Sequence, residues 1–161
     1  MSDFRRRLAC EVDEAADAGF VLMSVSVFDH RLTEAELVDQ EKVPFLFHRE
    51  AREKGMEAQF LDIERRFVAL LDRLAAGGVA LIHRPARIHP LRAQSARYRS
   101  LVRRALREKH TNDLYFPGFE ACWIFGRDMT HWVILPDASR VEQIKGLVRD
   151  AGLHVLRVEG A

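Results

Sequence analysis

Cysteine, linker-type sequence and long apolar runs are all scarce in this chain, and each scarcity narrows what the protein can be. Cys10 and Cys122 are the only cysteines among 161 residues. Two isolated thiols do not make the disulfide framework that staples small secreted domains, so both are read as reduced thiols packed as small hydrophobes. The longest apolar run, Gly19 to Val27, is interrupted by Ser24 and Ser26 and falls well short of the roughly 18 residues needed to span a membrane. Arg5, Arg6 and Arg7 are followed by Glu11, Asp13, Glu14 and Asp17, where a signal peptide would carry its apolar stretch. The expectation is a cytoplasmic protein with no membrane contact. No internal repeat, low-complexity tract or linker divides the chain, which predicts a single globular domain over residues 1–161.

Chemical signatures are missing too. The sequence contains no GxxxxGK[ST], no GxGxxG after a strand, no GxSxG elbow and no kinase motif set, which removes the phosphate loops and the strained serine nucleophile as starting points. His83 and His89, or His110 with Asp113, match neither a closed zinc spacing nor an HExxH helix. No metal and no cofactor is expected.

What is present is enough apolar sequence for a core, 48% of residues against 30% charged, ordinary for a folded domain. Phe4, Leu8, Val12 and Ala15 recur at helical spacing, and Gly19 supplies a stop, predicting a helix from Asp3 to Ala18. Phe20 to Phe28 reads as a strand with Ser24 and Ser26 on its polar side. Thr33 with Glu36, and Ser139 with Glu142, match capping boxes that start helices. Val43 to His48 reads as a short strand at an edge, because Pro44 cannot donate to a ladder. The stripe Phe60, Ile63, Phe67, Leu70, Leu71 and Leu74 marks a helix ended by Gly77 and Gly78, and Val79 to His83 a strand. A further helix is expected over Ala93 to Lys109. Ala121 to Gly126 and His131 to Leu135 form a hairpin anchored by Trp123, Phe125 and Trp132. A last helix and the strand Leu153 to Val158 close the chain. Strands alternate with helices while the 121–135 hairpin must be antiparallel, which predicts an α+β (mixed α/β) fold: a mixed sheet with helices packed against it.

Charge is distributed unevenly. Nine basic residues lie between Arg84 and Lys109 against Glu108 alone, a net +8, whereas residues 1–83 carry −5 and residues 110–161 carry −2. On a helical wheel Arg97, Arg99, Arg103, Arg104 and Arg107 gather on the face opposite Tyr98, Leu101, Val102 and Ala105. Guanidinium groups are permanently charged forks suited to carboxylate and phosphate, so this face is the candidate partner-binding surface. An acidic protein surface is the first expected partner and nucleic acid the alternative. The competing structural reading is a solvated face partly neutralised by acids from the rest of the chain. Arginine outnumbers lysine 21 to 4 throughout, so clustering, not residue identity, carries the argument.

A third reading is catalytic. In an extended segment His48 and Glu50 project to one side, and His83 with Arg84 ends a strand. If the two strand ends met, histidine could serve as general base, Glu50 as its partner and Arg84 as oxyanion stabiliser in a metal-independent nuclease or phosphoryl-transfer hydrolase. His30, His131 and His154 are read as hydrogen-bonded structural residues, and Cys122 as a buried, inert thiol.

Overall fold

The structure, a computed structural model, describes residues 15, 17–39, 41–83, 87–109 and 113–160. In chain order its elements are β1 (Val21–Ser26), α1 (Glu34–Val38), α2 (His48–Glu53), α3 (Glu57–Leu74), β2 (Val79–His83), β3 (Arg87–Leu91), α4 (Ala96–Leu106), β4 (Asp113–Phe116), β5 (Ala121–Ile124), β6 (Thr130–Leu135), α5 (Val141–Asp150) and β7 (His154–Glu159). The helix expected over Asp3 to Ala18 lies mostly outside the described residues. Ala15 is helical, and Gly19 takes the left-handed φ of 81° that its side-chain-free backbone permits.

The strands make one sheet in the order β3-β2-β4-β5-β6-β1-β7. The α+β class and the 121–135 hairpin stand, but every described ladder is antiparallel, so the sheet is not mixed. The alternation of strand and helix that suggested parallel neighbours has a topological explanation. Helix α4 joins β3 to β4 across β2, and α5 joins β6 to β7 across β1, so each crossover flanks an inserted antiparallel strand.

Side chains alternate across the sheet. Met23, Val25, Leu81, Leu114, Trp123 and Val133 face a layer of α3, α4 and α5, where Phe67, Leu70, Tyr98, Val102, Ile144 and Val148 complete the larger core. Leu22, Ala80, Ile82, Tyr115, Cys122 and Ile134 face the other way with Ala15 and Phe20. Because both faces are covered, β1 is buried at every position, including Ser24 and Ser26 on its expected polar side. Ser26 Oγ is satisfied by a 2.9 Å hydrogen bond with Thr130 Oγ1. The two tryptophans fall on opposite faces, Trp123 in the larger core and Trp132 against the smaller.

Several local expectations change. Val43 to His48 is not a strand: the Leu46 N–H donates to Glu50 Oε2 at 2.8 Å and the Ala51 N–H to the Phe47 carbonyl at 3.0 Å, so the backbone turns into α2 instead of joining a ladder. Thr33 caps α1 as a capping box, but Ser139 does not cap α5. Asp137 Oδ1 instead accepts from the Ser139 N–H and opens a 3-10 turn leading into the helix. Strands β3 and β4 carry no clean alternation and were not anticipated. The hairpin turn holds Asp128 and Met129 at φ 55° and 53°, the paired left-handed residues whose twist suits a tight hairpin. At the end of α3 the two glycines have different reasons: a Cβ on Gly77 would lie 2.8 Å from Gly118 Cα, and Gly78 takes a positive φ of 106°.

Candidate anion-docking face

Helix α4 begins where Ser95 Oγ accepts from the Tyr98 N–H at 3.2 Å, a hydroxyl cap on an otherwise unpaired donor. From there Tyr98, Val102, Ala105 and Leu106 turn into the core and the arginines turn out. Arg97, Arg99, Arg103 and Arg104 are exposed, and Arg107 is partly covered. With Ala96, Ser100 and Lys109, Arg99, Arg103, Arg104 and Arg107 line an open depression of about 440 Å³ along the helix.

The five arginines are not equivalent. Arg107 reaches across to α3 and grips Glu64 with both arms of its guanidinium, Nε to Oε2 at 2.5 Å and Nη2 to Oε1 at 2.9 Å. Glu64 is 5% exposed, so its charge is held in the interior by this bidentate pair, and the carboxylate in turn raises the Arg107 pKa above its usual value. Arg103 contributes a longer 4.0 Å contact to the same carboxylate while 58% of its side chain stays exposed. Arg97, Arg99 and Arg104 have no acidic partner among the described residues. The single acid of the basic segment, Glu108, does not neutralise them. It sits by the hairpin turn, where desolvation and the Asp128 carboxylate raise its pKa.

Glu64 is the residue that reading the sequence missed. Its signal was visible, since it interrupts the apolar stripe of α3 between Phe60 and Phe67 at a core-facing position, where an acid requires a partner.

Within the proposed catalytic set, the described pair His48 and Glu50 does not form. Helical geometry places residues two apart roughly 200° around the axis, so His48 and Glu50 do not share a side. His48 is buried, its Nε2 donating to Glu57 Oε1 at 2.9 Å with its ring 5.0 Å from that of Phe60. Glu50 instead accepts from Lys54 Nζ at 2.7 Å and from Leu46. The neighbouring cluster of Phe45, Ala51 and Phe60 packs on Met129, beside β6, and β4 and β5 separate β6 from β2. His83 ends β2 as expected, but its side chain and Arg84 lie outside the described residues.

The other histidines divide. His131 is buried among Phe67, Trp123 and Phe125, ring centroids 4.6 to 5.6 Å away. Its Nδ1 accepts from the Gly126 N–H at 3.1 Å, and burial depresses its pKa to about 3. His30 is exposed yet bonded on both ring nitrogens, to Asp29 at 2.6 Å and Glu36 at 2.8 Å, and these two acids raise its pKa. His154 is exposed at the start of β7. Cys122 is buried in β5. Among the described residues no group of histidine, cysteine and acidic side chains could hold a metal, and no helix is long and apolar enough to cross a membrane. Compared with protein-family models, curated proteins and solved structures, the chain matches none of them.

Proposed function

We propose that this domain works by binding, docking an acidic protein surface on the outer face of α4. The observation that carries the reading is the division among its arginines. Internal neutralisation takes up Arg107 and touches Arg103, while Arg97, Arg99 and Arg104 stand exposed without acidic partners among the described residues. The depression that Arg99 and Arg104 line is open and formed by α4 and the residues that follow it, a shape suited to a macromolecular surface and not to enclosing a small substrate. A protein partner is favoured over single-stranded nucleic acid because α4 offers no stacking platform: its one aromatic residue, Tyr98, is 1% exposed.

The test is fluorescence anisotropy with a labelled oligoglutamate peptide, with single- and double-stranded oligonucleotides as parallel arms. The expected result is peptide binding that weakens at least about tenfold in R97E/R99E/R104E, with the melting temperature preserved. Unchanged peptide binding in that variant would overturn the reading, and tighter binding of an oligonucleotide than of the peptide would replace it with a nucleic-acid module.

A further inference from the structure

The two edges of the sheet differ. On one side β3 ends the sheet with Pro90 in its ladder, opposite Ala80. Proline removes a main-chain donor and is a common device against pairing at an edge. On the other side β7 ends the sheet with no proline, and no described strand covers its outer edge. Half of an edge strand's main-chain polar groups point outward, a template for another extended segment.

Beside that edge runs a groove of about 450 Å³ between β7 and α5, with Val148, Leu153, Val155 and Val158 as apolar floor. Its rim is basic. Lys145 and Arg149 come from α5 and His154 and Arg157 from β7, with Asp29 the one acid lining it. Asp29 is engaged by His30 at 2.6 Å, Lys145 has Glu142 and Arg157 has Glu159, while Arg149 has no ion pair among the described residues.

We infer that the β7 edge and the α5 groove receive an extended acidic peptide segment of another protein as an eighth strand. Main-chain hydrogen bonds to β7 would supply affinity, and the groove would select alternate side chains. Residues turned toward α5 would be apolar, seated on Val155 and Val158, which both face the helical core. Acidic residues would meet Arg149, Lys145 and Arg157. A second copy of this chain fits less well. The register of β7 on β1 shifts between Ser24 and Val25, leaving a bulge at its centre, and two-fold pairing through that centre sets the two Arg157 side chains opposite or diagonally across from each other, a repulsive arrangement.

The inference is independent of α4. A labelled heptapeptide alternating glutamate and valine is titrated against the full chain carrying R97E/R99E/R104E, so that the α4 face does not contribute, alongside the same peptide N-methylated at every residue so that neither edge can donate. The expected result is saturable binding, at least about tenfold weaker for the N-methylated peptide and when K145E/R149E are added to that chain. Equal binding of both peptides, binding unchanged by K145E/R149E, or no binding at all would each overturn it. The methylated peptide tests the main-chain ladder on the same protein as the unmethylated one, so the comparison does not depend on a further variant folding.

Discussion

Arg104 and Arg107 lie three residues apart, one in the last turn of α4 and one at its cap, yet they do different work. Arg107 is tied by two hydrogen bonds to a carboxylate that the core has removed from water; Arg104, like Arg97 and Arg99, meets no acid among the described residues. The difference comes from what the facing helix presents. Glu64 of α3 sits within reach of the end of α4, where Arg107 grips it and Arg103 touches it at 4.0 Å, and Arg97, Arg99 and Arg104 have no such counterpart among the described residues. A cluster of like charges is therefore a mixture of structural and available groups, and burial of the partner separates them.

The comparison is broken most severely at the buried pair. Arg107→Ala leaves Glu64 interior with only the 4.0 Å contact of Arg103, and should lower the unfolding free energy by about 3 kcal/mol in urea denaturation. An effect below about 0.5 kcal/mol would place Arg107 with the solvated arginines. Next comes His131, an ionisable group kept neutral by burial without a charged partner. Its folded pKa of about 3 lies below the unfolded value of about 6.5. Between those values the unfolded chain binds the extra proton, so stability falls as the pH drops through that window, approaching a loss of about 2 kcal/mol by pH 5. His131→Gln should flatten this part of a denaturation series measured from pH 7 to pH 4.

A smaller effect reaches both kinds of arginine together. Ser95→Ala removes the cap of α4 and should cost about 1 kcal/mol, read as a lowered melting temperature. Smallest of all, replacing Arg97, Arg99 and Arg104 by glutamine should change stability by no more than about 0.5 kcal/mol, so that any loss of binding reports on docking alone.

Much of the fold could be read from the chain because strong periodicities mark α3, α4, α5 and the β5–β6 hairpin. Where reading failed, a local signal was outvoted. Phe45 to Phe47 looks like strand because its apolar residues are consecutive, but the side chain of Glu50 takes the Leu46 N–H that a ladder would need. Strand β3 was hidden by Pro90, tolerated because β3 is an edge. The site was legible as a charge cluster and as a helical face. Its division was not, since the pairing of Glu64 with Arg107 joins residues 43 positions apart, and only the packing of α3 on α4 brings them together. The same limit applies to His48, whose partner is Glu57 of the next helix and not Glu50.

The central claim is that Arg97, Arg99 and Arg104 are the available charges of this face. It is tested most directly by the ionic-strength dependence of oligoglutamate binding in the wild type and in R97Q/R99Q/R104Q. The account predicts that wild-type affinity falls steeply as salt is raised, as expected for exposed charges, and that the variant binds weakly with a nearly flat salt dependence at unchanged stability. The same affinity and the same salt slope in both proteins would contradict it.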